Sequence, residues 1–332
     1  MNVKGIQEKC ISFALLAGVL TTCLLQFACS TSDDLEEKNK YETAKNLIHT
    51  YSGTGDNYSR ALAIAEDIFQ ANPKSPYSHL IIAEYRARQY KDYKKGDPLE
   101  IWKLTDTVID MDYNIADAYV IQSKIALLGD RLALSKAKAR KATEIDPHNR
   151  EAMFAYAQVE QKTRNYVAAE SWYRKAIDAH SDNDRKSNIY YWLATMFQEM
   201  NPPDVAKARE AMQHMVDLSP SAPWKLVNYA IFLNTSTTDY DAAMKYAEES
   251  LKQMDFEMGR LTLGMAMYAK WSDKYMKTNG KDGEGKSANE EIGKIKGKTG
   301  VSAEKAYQYA SQYMRKSRIP EALTSAGIVV GT

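Results

Sequence analysis

One short phrase returns along this chain at a fixed interval. Ala142-Thr143-Glu144-Ile145-Asp146-Pro147 has its counterpart in Ala176-Ile177-Asp178-Ala179-His180-Ser181. One equal step upstream, the same slot holds Val108-Ile109-Asp110-Met111-Asp112-Tyr113. Each interval contains two runs with helical spacing, Ala118 to Asp130 and its Lys- and Ala-rich successor, then Glu151 to Tyr166 and Val167 to Ser181. A period of about 34 residues built from two helices belongs to a helix-turn-helix array. One such unit cannot bury its apolar face alone, so consecutive units must stack.

Ala157, Ala169, Tyr173 and Ala176 stand where two helices of a unit and the next unit must come close. Small side chains permit close approach, and an aromatic fills the gap to the neighbour. These residues, the Gly129-Asp130 turn and the Ala142 to Pro147 ending resemble the tetratricopeptide repeat family. The resemblance implies an all-α, right-handed superhelical solenoid of about seven antiparallel helix pairs. It implies an architecture and names no reaction.

Helical spacing extends the pattern in both directions. Tyr41 to Tyr51 and Tyr58 to Ala71 form a first pair, bounded by Gly53-Thr54-Gly55 and Pro73. A helix from Tyr77 is expected to break at the basic, tyrosine-rich segment Gln89 to Gly96, and Pro98 suits the first turn of the next. Ser187 to Met200 pairs with Val205 to Leu218, and Trp224 to Asn234 with Tyr240 to Met254. Arg260 to Met276 opens a last pair whose second helix is expected only at Ser302 to Arg318. The repeat domain is therefore placed at 41–320, with a tail at 321–332. The insert 279–300 holds six of the sixteen glycines and reads as a loop.

The stretch 1–29 is a different material. Lys4 and Lys9 precede a run from Cys10 to Ser32 without one charged side chain. A positive flank followed by an apolar stretch is an export signal. Three readings stay open: lipoprotein cleavage before Cys29 with lipid attached there, an uncleaved membrane helix, and simple cleavage after Ala28. Leu24-Leu25-Gln26-Phe27-Ala28-Cys29 resembles a lipobox, with Gln26 where that motif prefers leucine. The lipoprotein reading makes 30–40 a flexible tether. All three readings put the repeats on the extracytoplasmic side, in a bacterial cell envelope facing the periplasm or exterior.

Cys10, Cys23 and Cys29 are the only cysteines, so the repeat domain has no disulfide and no cysteine metal site. Without Lys4, Lys9 and Glu8, the 44 basic and 43 acidic side chains become 42 of each. A neutral domain gives no electrostatic reason to expect nucleic acid.

Motifs that could carry chemistry are few. Gly280-Lys281-Asp282-Gly283-Glu284-Gly285-Lys286-Ser287 matches the phosphate-loop pattern G-x-x-x-x-G-K-S. That chemistry needs a buried strand before the loop and a helix after it, whereas an amphipathic helix precedes Gly280. A solvated loop is the favoured reading. His49, His79, His148, His180 and His214 show no i, i+4 pairing, and no serine sits in a G-x-S-x-G elbow. Glu248-Glu249 and Glu290-Glu291 are adjacent and splay to different helix faces. No enzyme and no cofactor are expected.

The resemblance implies that the first helix of each pair lines a concave groove for a peptide or protein partner. In that register the groove candidates are Tyr77, Glu84, Phe154, Gln158, Gln161, Trp224, Asn228 and Asn234. Asn228 matches an asparagine that family members use on a peptide backbone, while the basic clamp for C-terminal carboxylates has no counterpart. For Tyr77 and Trp224, packing between repeats is the competing role. The expected function is a membrane-anchored, non-catalytic scaffold. The alternatives are a small-molecule-binding accessory of a membrane transporter and a nucleotide-binding protein acting through 280–287.

Overall fold

The computed structural model describes residues 34–49, 56–111 and 114–277. Among them stand thirteen α-helices, one π-helical turn and no strand. The helices are α1 (34–49), α2 (Asp56–Ala71), α3 (Pro76–Tyr93), α4 (Pro98–Asp110), α5 (Ala116–Leu128), α6 (Leu132–Ile145) and α7 (Arg150–Lys162). They continue as α8 (Tyr166–Ala179), α9 (Asn183–Glu199), α10 (Val205–Leu218), α11 (Pro223–Phe232), α12 (Tyr240–Gln253) and α13 (Glu257–Lys277), with the π turn Leu233–Thr237 after α11. Odd-numbered helices are the first members of their pairs. The leader 1–29, the insert 279–300, the expected helix 302–318 and the tail 321–332 lie outside the described residues. The chain forms two compact units, with the border between Val159 and Glu160.

Local chemistry sets the helix starts. Pro76, Pro98 and Pro223 open α3, α4 and α11, where the missing N–H is no loss. Side chains of Asp97, Asp182 and Asp204 accept hydrogen bonds from the N–H of Leu99 (2.9 Å), Arg185 (2.7 Å) and Lys207 (3.0 Å). Each satisfies an orphan donor of a first turn. Two ends differ from the sequence expectation. The polar stretch read as tether is helical from residue 34. Asn72 Nδ2 and Ser75 Oγ donate to the Glu37 carboxylate there, at 3.0 and 2.5 Å. The helix from Pro76 also runs on through Gln89 to Tyr93, because Arg, Gln and Lys are good helix formers with stems that tolerate solvent.

The repeat period is visible in the turns. Asp130 and Arg164, one period apart, both adopt left-handed backbone, with φ of 56° and 60°. The N–H of Arg131 donates to Ala126 O, and that of Asn165 to Glu160 O, each at 2.8 Å. These are corresponding bonds, and they tie up carbonyls that the helix ends leave open.

In the first unit the core is apolar down one side of each helix. Ala61, Ala65 and Ile68 of α2 cluster with Leu80, Ile81 and Ala83 of α3, and with Tyr41 and Ile48 of α1. Pair α5–α6 closes on a reciprocal contact: Ser123 Oγ donates to Ser135 O (3.0 Å) and Ser135 Oγ to Ser123 O (2.9 Å). Backbones this near exclude any larger side chain. One period on, the corresponding sequence positions hold Ala157 and Ala169. Ala169, Tyr173 and Ala176 are fully buried. Further along, Ala230 of α11, Ala247 of α12, and Leu263 and Met267 of α13 share one cluster. Gly259 is tight against α12, since a Cβ there would meet Leu251 Cδ2 at 2.9 Å.

Ala169→Leu is expected to destabilise the protein by about 1–3 kcal/mol, because the site is fully buried and a larger side chain overpacks it. Val167 lies on the same helix and is 85% exposed. Val167→Thr is therefore expected to change stability by less than about 0.5 kcal/mol. Urea unfolding of both variants checks the contrast.

Candidate functional site: a charged face on the first helices

The first unit carries an ion-pair network on its first helices alone. Tyr41, Lys45 and His49 repeat every four residues on α1, and Tyr77, Ile81 and Glu84 share a face of α3. Asp117 and Lys124 lie two turns apart on α5, and Glu151 stands in the first turn of α7. Lys45 Nζ donates to Asp117 Oδ1 at 3.0 Å and lies 3.6 Å from Glu42. His49 Nε2 is 3.4 Å from Glu84 Oε2. Lys124 Nζ lies 3.6 Å from Glu84 Oε1 and 3.5 Å from Glu151 Oε2. Helices α1, α3, α5 and α7 are thus joined in series by charge.

The depth of this network is unusual for charged groups. Glu84 is 2% exposed and Lys45 is 5% exposed. Lys124, His49 and Glu151 form the wetter rim. Burial alone would raise the Glu84 carboxyl, but Lys124, His49 and Lys45 outweigh it and hold it well below the carboxylate range. Burial works against the Lys45 ammonium too, yet Asp117 and Glu151 hold its pKa above the ordinary lysine value. Burial, then the charges of Asp117 and Glu84, push the Tyr41 phenol up. Among the described residues the Tyr41 hydroxyl and Glu84 Oε1 are buried without a hydrogen-bond partner. No group of three or more His, Cys, Asp or Glu side chains there could hold a metal ion.

The structure distributes the eight groove candidates unevenly. Glu84 belongs to the network. Tyr77 is a core residue, its ring 5.7 Å from that of Tyr41, and leaves a partner only 7% of its surface. Phe154 and Gln158, half-buried on one face of α7, follow Glu151 at helical spacing. In the second unit, Gln161 accepts from Tyr173 Oη (2.6 Å) and donates to Glu199 Oε2 (2.9 Å). Both ends of that buried amide are used inside the fold. Trp224 is exposed, its ring 4.9 Å from that of Phe256. Asn228 is half-buried one turn on, and Asn234 sits in the π turn with a buried, unpartnered Oδ1. Cys29 and Gly280 to Ser287 lie outside the described residues.

Sequence reasoning did not single out Lys45, Asp117, Lys124 or Glu151. The available signal was register: Lys45 falls one turn after buried Tyr41, on an apolar face. A charge at such a position has to be paired.

No protein-family model and no curated protein matches this chain. Among solved structures, yeast Tom70 superposes with a TM-score of 0.51 at 16% identity, covering 87% of this chain and 59% of that one. PilF of Pseudomonas aeruginosa gives 0.48 at 15%, over 73% and 99% of the two chains. TTC0263, a TPR protein of Thermus thermophilus, gives 0.47 at 16%, over 60% and 99%. At such identity the likeness concerns fold alone. The chain has the tetratricopeptide fold, an array of antiparallel helix pairs.

The network predicts a stability plateau with two limbs. A depressed Glu84 stabilises fully above its ordinary pKa of 4.5, and that contribution is lost as pH falls below it. Raised Lys45 and Lys124 stabilise fully below the ordinary 10.5, and that contribution is lost as pH climbs through their folded values. Urea midpoints across pH 3 to 11 are expected to fall at both ends. Glu84→Gln is expected to lower the plateau and flatten the acid limb, while Glu248→Gln, in the other unit, leaves both unchanged.

Proposed function

We propose that this protein is a non-catalytic scaffold that binds a protein partner on the face lined by its first helices. The observation that carries the reading is the placement of ionic groups. Lys45, His49, Glu84, Asp117, Lys124 and Glu151 come from four successive first helices and share one face. A buried ion pair is seldom a gain in stability over well-packed apolar residues. Charge kept there, with half-buried Phe154 and Gln158 beside it, supports a recognition surface with an aromatic contact and polar rim. Trp224 and Asn228 offer a similar combination on the second unit, and are proposed as its contacts.

A photo-crosslinking residue at Gln158 in the full-length protein, expressed in cells, is expected to capture one protein species. The same residue at Ala137 or Lys141, exposed on the second helix α6, is expected to capture none. Adducts from all three positions alike, or from none in a folded protein, would overturn the reading. The small-ligand alternative would then lead.

We further propose that the scaffold is held on the extracytoplasmic side of a bacterial membrane by lipid on Cys29. The support is the uncharged run ending in Leu24-Leu25-Gln26-Phe27-Ala28-Cys29. Among the described residues no helix is long and apolar enough to cross a membrane. Labelled palmitate is expected to enter the wild-type protein and not Cys29→Ser. Equal labelling of both would remove the anchor from the proposal.

A further inference from the structure

The weakest joint of the charged face lies around its deepest carboxylate. Lys124 is stretched between two partners, 3.6 Å from Glu84 Oε1 and 3.5 Å from Glu151 Oε2. An ammonium on a carboxylate normally closes to about 2.7–2.9 Å. The compact head of Lys124 reaches neither partner at that distance, and Glu84 Oε1 is left buried with no hydrogen bond. Close by in the same network, the buried hydroxyl of Tyr41 also lacks a partner. Two buried oxygens of this kind mark a place built for a broader donor than the one that fills it.

We propose that the first-unit face receives an arginine side chain of the partner, its guanidinium bridging Glu84 and Glu151 in place of Lys124. A guanidinium is planar and holds five N–H donors in a fixed fork broad enough to close on two carboxylates at once, whereas an ammonium is a compact point charge. Lys124 is the resident stand-in: its ammonium covers Glu84, and its flexible stem reaches the wet rim, where its side chain is 21% exposed. Displaced, it moves to solvent without leaving a buried charge unpaired. The proposal rests on the scaffold reading and adds the chemistry of the partner.

The probe is N-acetyl-arginine amide, titrated into the full-length protein, with N-acetyl-citrulline amide as its uncharged isostere. Lys124→Gln keeps length and removes the competing charge. It is expected to bind the arginine probe at least tenfold more tightly than wild type and to gain thermal stability from it. The citrulline probe is expected to do neither, and Glu84→Gln in the Lys124→Gln background to abolish the effect. Should Lys124→Gln not fold, Lys124→Met is the second variant. Equal response to both probes, or none in a folded Lys124 variant, would overturn the proposal. Loss of arginine binding with crosslinking at Gln158 intact would sink this inference and leave the scaffold standing. Arginine binding without any crosslinked protein would sink the scaffold instead.

Discussion

Everything in this fold depends on how closely two helices of a pair can approach. Ser123 and Ser135 are near enough to exchange hydroxyl-to-carbonyl bonds in both directions, at 3.0 and 2.9 Å. Ala169, Tyr173 and Ala176 lose all their surface one period later. Short side chains such as Ser123 and Ser135 let the backbones of a pair dock. The charged side chains of the first unit's deepest ion pairs lie elsewhere, on the face that its first helices share. That is where the first unit keeps its buried charge.

The charged face has a price in desolvation, and its distances say how it is offset. Lys45 and Asp117 make a bond of ordinary length at 3.0 Å and leave little unresolved. Glu84 does not: its Oε2 is 3.4 Å from His49 and its Oε1 is 3.6 Å from Lys124. A set of long contacts around one fully buried carboxylate holds it ionised by charge more than by hydrogen bonding. Removing a single member would strand the others, so the network acts as a unit and ties four first helices together. Rigidity on that face is useful to a binding surface, because less side-chain freedom remains to be lost on association.

Much of the fold is legible in the sequence, for identifiable reasons. Val205 to Leu218 can be read to the residue, because Asp204 caps one end and Pro220 follows the other. The return of the Asp130 turn at Arg164 follows from the repeat period once the first turn is placed. The misread ends have one cause. At 34–40 and 89–93 the residues are polar and charged, and periodicity of apolar side chains is silent on such stretches. Glu37 shows what the pattern lacks: contacts far along the chain, to Asn72 and Ser75, hold that turn.

The candidate site is less legible, and the difference is physical. Register assigns the groove positions, and register gives the face a side chain leaves from without saying what meets it. Tyr77 leaves α3 toward Tyr41 and becomes core; Gln161 finds Tyr173 and Glu199 and becomes a strut. The same rule selects Glu84, and four residues it passes over give Glu84 meaning. A lysine in a helix ordinarily signals water, so Lys45 and Lys124 read as solvent-facing until α5 is brought against α1 and α3. Burial reverses their significance: at 5% exposure Lys45 must have an anion, and Asp117 is that anion. Lys124 then stands out as the one lysine of the pair whose bonds remain long, which makes it the side chain that a better-shaped cation could replace.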